Sequence, residues 1–399
     1  MVMKFSMDRS EPPMTYRNGT SVINIPKMKV GSDKGIEDIC KCTERVTDLS
    51  TLKRIGDDYR KKILNECYID LTLDKLRELD DDGDAQNAYI CRRSKFMDRG
   101  MVNVLMIKIR LPQDDWFNKQ DYDYVNNLLS WDSNDIYVMP LLEFDDSANG
   151  KMGHPEATAK YEKFVCQMLE KLPSWFSNDL TIGMSVPQYY SRRRLEKVLF
   201  GEIYKDYDPR FVAMDFKNSR LNKPGSTLKT VLHHFMCEND RADRGPFFIY
   251  GVNVKPFRKG TDRSEAWDIF TTTSGFSAVG TTHTKPHPVF APADEGWAGA
   301  GKVYSADEIS YLKMKDEKDH LPLKEWIDDN YDIDIRDGSP GIAGRAYPYL
   351  RRFNFEKTNG TLEQLTAAAR EGNLKEIDGM LDKRPEELNQ PLVDEEYRE

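Results

Sequence analysis

Apolar, β-forming runs recur along the chain with stretches of helical periodicity between them, and no other feature narrows the possible folds as much. The runs are 22–30 (VINIPKMKV), 102–111 (VNVLMIKIRL), 136–144 (IYVMPLLEF), 180–186 (LTIGMSV), 211–216 (FVAMDF), 247–254 (FFIYGVNV) and the weaker 276–279. The first carries Pro26, which suits an edge or entry strand. Runs that are apolar on both faces are the pattern of parallel strands covered by other layers. Segments 156–172, 192–204 and 226–237 place apolar residues at helical spacing. Such alternation predicts an α/β fold, either a (β/α)8 TIM barrel or a doubly wound sheet. Neither a GxGxxG nor a Walker A sequence is present, which disfavours the doubly wound nucleotide binder. The expected organisation is a TIM barrel over 1–290 and a mainly helical C-terminal extension over 291–399. Within that extension, 361–388 reads as two short helices joined at Glu371-Gly372-Asn373, a hairpin that needs the main domain to cover its apolar face.

Composition excludes other classes. With 6 Trp, 19 Tyr and 18 Phe in 399 residues the chain has ample material for a core, so it is not disordered. It has no apolar run near the roughly 18 residues of a membrane span. The opening MVMKFSMDRSEPPM lacks the apolar stretch of a signal peptide, so the expected compartment is the cytoplasm. Six scattered cysteines fit reduced thiols there rather than a disulfide framework. The net charge of −9 argues mildly against a dedicated nucleic-acid binder, although local patches outweigh the sum.

Barrel enzymes carry their working residues just past the C-terminal ends of the strands. That filter selects Asp145 and Asp146 after the third run, Gln188 after the fourth, Asp215 within the fifth, Asn253 within the sixth and His283 beyond the last. Asp98, just before a strand, is a further candidate. Taken singly, an Asp at such a place also reads as a helix cap or turn former. Several carboxylates converging with an amide say more, because paired carboxylates can divide nucleophilic and acid–base roles. The histidines form no convincing metal set. His233 and His234 point about 100° apart on a helix, so they cannot both join Cys237 and Glu238, and Pro286 breaks the spacing of His283 and His287. No metal and no cofactor is expected. Tyr189, Tyr190, Arg192, Arg193 and Arg194 directly follow a strand end, where aromatics can stack on bases and arginines can hold phosphates. The plainer reading of that stretch is a solvated first helical turn.

Several of these segments together resemble the tRNA-guanine transglycosylase superfamily. Met14-Thr-Tyr-Arg17-Asn-Gly19 with Ile25-Pro26 and Val30-Gly31 is similar to the family's opening. Asp98-Arg99-Gly100 resembles its Asp-Ser-Gly segment, and Asp135-Ile136-Tyr-Val-Met139, running to Asp145-Asp146, its base-recognising strand. Val186-Pro187-Gln188, the strand around Gly251-Val252-Asn253, and Ser274–Gly280 resemble the later segments in the same order. The resemblance spans about residues 14–290. It implies a (β/α)8 barrel that flips a base into its mouth and exchanges guanine for a 7-deazaguanine base in tRNA or DNA. Asp98 would then move protons, Asp145, Asp146, Gln188 and Asn253 would recognise the base, and Arg192, Arg193 and Arg194 would hold phosphates. Two departures stand out. Gly280 occupies the place of the nucleophilic Asp, which leaves Asp215 as the best-placed substitute by strand position. No cysteine follows Cys237, so the family's zinc site is not expected. The partners expected are nucleic acid and a 7-deazaguanine base, with a homo-oligomer possible and no membrane. The alternatives are a barrel that has lost catalysis and serves as a nucleic-acid-binding or interaction module, or an unrelated lyase or hydrolase built on Asp145, Asp215 and His283.

Overall fold

A computed structural model describes residues 2–3, 14–18, 21–25, 29–30, 34–35, 64–86, 89–90, 97, 100–112, 114–130, 134–144, 154–172, 181–187, 189–207, 209, 211–217, 231, 247–254, 262–272, 275–281, 296–337 and 341–382. Short strands open the chain. β1 (Val2–Met3), β2 (Met14–Asn18) and β3 (Ser21–Ile25) form an antiparallel sheet, and β4 (Lys29–Val30) pairs with β5 (Lys34–Gly35). The expected 22–30 strand is therefore two strands, one on either side of Pro26.

The strands that follow alternate with helices. In chain order they are β6 (Leu64–Thr72), α1 (Leu73–Asp81), β7 (Val102–Leu111), α2 (Lys119–Leu129), β8 (Ile136–Val138), β9 (Leu141–Phe144), α3 (His154–Glu170) and β10 (Thr181–Val186). After β10 a π-helical segment spans Leu195–Ile203, followed by β11 (Phe211–Asp215), β12 (Phe248–Val254), β13 (Arg263–Glu265), α4 (Trp267–Thr272) and β14 (Ala278–Thr281). Local chemistry starts the helices: the Thr72 hydroxyl accepts from the Lys75 N–H, and Asn118 with Asp121 makes a reciprocal capping box on α2. Pro140 interrupts the run 136–144, since it has no N–H to give a ladder. The Ser185 hydroxyl donates to the Met139 carbonyl just before Pro140. One expected strand thus becomes β8, which bridges β7 and β10, and β9, which pairs with β7.

The large sheet is parallel and runs β14-β12-β11-β10-β8-β7-β6, with β9 attached to β7. Its convex face carries Ile69, Leu105, Ile107, Met184 and Met214 against Tyr122, Val125, Phe164 and Leu195 of the helical layer. The concave face is filled by Leu64, Val104, Met106, Ile136, Phe211, Phe248 and Ala278. This corrects the expected closed barrel: the described residues form a curled half-barrel in which no ladder joins β6 to β14. Side chains span that seam where the backbone does not. The Tyr250 hydroxyl on β12 donates to Glu66 on β6 at 2.5 Å, and the Asn253 amide donates to the Tyr68 hydroxyl at 3.2 Å.

The C-terminal region adds β15 (Lys302–Ser305), β16 (Ser310–Lys313), α5 (Glu317–Asn330), α6 (Ile342–Glu371) and α7 (Leu374–Leu381). β13 joins β16 and β15 in an antiparallel sheet, so residues from before 290 take part in this unit. Ala266 and Ile269 share a core with Tyr304, Leu365, Ala368 and Ile377. The expected hairpin joint is present at Gly372, which is left-handed (φ 71°), with Asn373 capping α7. Its first arm, however, is the end of a 30-residue helix rather than a short one. Among the described residues no helix is long and apolar enough to cross a membrane.

Candidate functional site

Side-chain parity decides what the concave face presents at the C-terminal ends of the strands. Tyr68 and Met106 both lie on that face, so Asp70, Lys108 and Arg110 continue it, as Glu143 does beyond Leu141 and Asp215 beyond Ala213. The apolar floor therefore gives way to a polar bowl at the strand ends, the place where parallel α/β sheets put their ligands.

Asp215, the last residue of β11, is buried and accepts two hydrogen bonds. The Asn253 amide donates to its Oδ1 at 2.9 Å, and the Lys217 backbone N–H donates to the same oxygen at 3.0 Å. Both donors stand in the left-handed region, Lys217 at φ 48° and Asn253 at φ 58°. Residues other than glycine seldom adopt it, and such strain gathers at functional sites. Here it has a visible effect. The β12 register shifts between Gly251 and Val254, and this turns Asn253 onto the concave side that simple alternation would deny it. The same amide reaches Tyr68, so one side chain ties β11, β12 and β6 together.

Glu143 faces this pair across the bowl. Lys108 Nζ lies 2.5 Å from its Oε2 and Lys217 Nζ lies 3.0 Å from its Oε1, so each lysine holds a different oxygen. The two carboxyls are shifted in opposite directions. Burial opposes the Glu143 charge, but the two lysines outweigh it and hold this carboxyl below its ordinary range. Burial pushes Asp215 above its ordinary range and the Glu143 charge adds to that, despite the bonds from Asn253 and Lys217 and the charge of Lys108. Burial likewise raises the Tyr68 phenol, with the charge of Asp215 next in weight. At the outer rim Arg110 pairs with Asp70 at 2.9 Å.

Beneath the bowl lies the seam at Gly280. A Cβ on this residue would clash with the Tyr250 hydroxyl and stand 2.8 Å from Glu66 Oε2. Tyr250 is fully buried and Glu66 nearly so, at 5% exposure. The space that a side chain at 280 would use is already occupied by a bonded Tyr–Glu pair.

Of the expected site residues, the structure joins Asp215 and Asn253 directly. Asp98, Asp145, Asp146 and Gln188 lie outside the described residues, as do His233, His234, Cys237, Glu238, His283 and His287. The aromatic and arginine stretch divides. Tyr190 is buried and donates to Glu162 at 2.6 Å, and Arg194 Nε donates to the same carboxylate at 2.8 Å. Both thus bond to α3. Tyr189 packs near Phe144 and Tyr161, with its hydroxyl donating to the Leu142 carbonyl at 3.3 Å. Arg192 and Arg193 remain exposed, and neither makes an ion pair among the described residues. They sit in a first helical turn, where cations run against the helix dipole, so fold stability does not account for them. Among the described residues no group of three His, Cys, Asp or Glu side chains could hold a metal ion.

Glu66, Tyr68, Lys108, Glu143 and Lys217 were not among the sequence candidates. Glu143 had a signal, being a lone acid in an otherwise apolar run, since a charge entering a buried strand needs a partner. No family model, curated protein or solved structure matches this chain.

Proposed function

We propose that this protein is a divergent transglycosylase-type enzyme that exchanges guanine for a 7-deazaguanine base in nucleic acid, either tRNA or DNA, on a TIM-barrel-like frame. The observation that carries the reading is the meeting of Asp215 and Asn253 in a bowl that also holds Glu143. Breaking and re-forming an N-glycosidic bond needs one carboxylate to stabilise or capture the sugar and one group to move a proton. Two carboxyls with opposite shifts in one bowl suit that division of roles. The ordered motif resemblance over residues 14–290 supports the same class, and exposed Arg192 and Arg193 suit a phosphate backbone.

The test is incubation of the intact protein with labelled guanine or a labelled 7-deazaguanine base and either tRNA or duplex DNA. Label is expected to enter one of the two nucleic acids. Folded protein that incorporates nothing into either would refute the enzyme reading. One observation favours a second reading, a binding module without catalysis: the family's nucleophile position is Gly280, and Tyr250 and Glu66 fill the space beside it. On that reading the protein retains the nucleic acid on a filter yet exchanges no base.

A further inference from the structure

We infer that Glu143 is the carboxylate that bonds to the sugar and Asp215 the group that carries the proton, so that the nucleophile has moved from the β14 edge to β9, beside β7. The inference rests on the transglycosylase reading and assigns roles within it.

Among the described residues four carboxylates lie on the concave face near the mouth or seam: Asp70, paired with Arg110 at the outer rim, and Glu66, Asp215 and Glu143, whose settings differ. Glu66 is 5% exposed beneath Tyr68 and is bonded to Tyr250, so a sugar entering from the strand ends meets other side chains first. Asp215 is 8% exposed, whereas the Glu143 side chain is 23% exposed at the rim. Lys108 and Lys217 fix Glu143 from two strands' ends, one on each oxygen. That clamp keeps the carboxylate charged and sets its direction, while a carboxylate's remaining lone pairs stay open to attack carbon. Asp215 shows the complementary arrangement. Both hydrogen bonds it accepts fall on Oδ1, which leaves Oδ2 to hold a proton. The opposite shifts of the two carboxyls agree with this assignment.

The step balances without an external oxidant or reductant. A Glu143 oxygen forms a bond to the anomeric carbon as the carbon–nitrogen bond to guanine breaks. The electron pair leaves with the base, and a ring nitrogen takes the Asp215 proton. The result is a glycosyl ester on Glu143 and an ionised Asp215. The incoming 7-deazaguanine then gives its ring N–H proton to Asp215 while its nitrogen bonds to the anomeric carbon. The ester bond breaks, and its electron pair returns to Glu143.

The test uses the full chain and whichever nucleic acid accepts label in the exchange assay. Wild-type protein is mixed with that nucleic acid without an incoming base, quenched in acid, digested, and mapped by mass spectrometry for a sugar-bearing peptide. The adduct is expected on the peptide containing Glu143, with Glu143→Gln abolishing it and slowing exchange at least about a thousandfold, in the range by which catalytic groups act. An adduct on Asp215 or Glu66, or Glu143→Gln exchanging at the wild-type rate, would overturn the assignment and leave the transglycosylase reading standing. Absence of exchange by folded wild type would instead remove that reading, and the assignment with it. The adduct map needs no variant, so it holds even if Glu143→Gln fails to fold.

Discussion

Glu66 and Asp215 are both buried carboxylates on the concave face, and each accepts a hydrogen bond from a side chain of β12. Their surroundings separate them. Glu66 and Tyr250 form a sealed pair that closes the seam beside Gly280, on unstrained backbone and between the two sheet edges. Asp215 lies at the strand ends, bonded to two residues in the left-handed region, Asn253 and Lys217, and across from a carboxylate clamped by two lysines. The same donor–acceptor unit joins strands at the seam and positions an acid at the rim. What differs is the place along the strands and the charge nearby, and a buried carboxyl perturbed by a specific charge partner at the strand ends is the chemically useful kind.

Exchange activity gives the widest separation between the two regions. Asp215→Asn is expected to lower kcat/KM by about 10²–10⁴, the range for losing a positioned proton donor, while Tyr250→Phe at the seam leaves kcat within a few fold. A Tyr250→Phe protein as inactive as Asp215→Asn would place the chemistry at the seam. The pH profile of the wild type should be bell-shaped. Glu143 must be charged, so the acid limb falls below the usual carboxylate range, and Asp215 must keep its proton, so the alkaline limb falls above it.

Stability gives the reverse separation. Gly280→Ala drives a Cβ into the Tyr250 hydroxyl and Glu66, and overpacking of this kind costs about 1–3 kcal/mol, to which a broken buried hydrogen bond adds about 1–3 kcal/mol. Urea denaturation should show this loss. The double variant Gly280→Ala/Tyr250→Phe should lose less than the sum of its parts, because phenylalanine lacks the clashing oxygen. Strict additivity would mean that the two positions do not share that space.

Asp215→Asn should behave in the opposite sense. The folded-state pKa of Asp215 is raised, so the proton it holds favours the fold at low pH. That advantage is lost as pH climbs from the unfolded value, about 3.9, through the folded one. The amide variant escapes the loss and should be the more stable protein at neutral pH, by thermal denaturation. The smallest effect is expected for Lys217→Met. This lysine is 49% exposed, and pairs of that kind contribute about 0.2–1 kcal/mol. Its measurable consequence is an acid limb shifted to higher pH, because Glu143 keeps only Lys108.

The same contrast explains what was readable in the sequence. β7 was legible from its alternation and its β-forming residues, and β12 as a nearly continuous apolar run with both faces covered. β6 was not, because Asn65, Glu66 and Asp70 interrupt it, and a strand that crosses from seam to bowl carries the polar groups of both. Asp215 and Asn253 followed from their places at strand ends. Glu143 did not: the strand-end position selects Asp145 and Asp146, where the run stops, rather than the acid inside it. The lysines that complete the bowl come from β7 and from just past β11, over a hundred residues apart, and only the parallel register brings them to one carboxylate. α6 was hidden by Pro348 and Gly360, breakers that a well-packed 30-residue helix tolerates.

The central claim is that the bowl holds two carboxyls shifted in opposite directions, Glu143 below and Asp215 above the ordinary range. Carboxyl ¹³C NMR titration of the full chain measures this without any substrate, with Glu143→Gln and Asp215→Asn supplying the assignments. The account predicts that Glu143 titrates below the ordinary carboxylate range and Asp215 above it, with the Asp215 midpoint falling when Glu143 is neutralised. Two carboxyls titrating together in the ordinary range would contradict it.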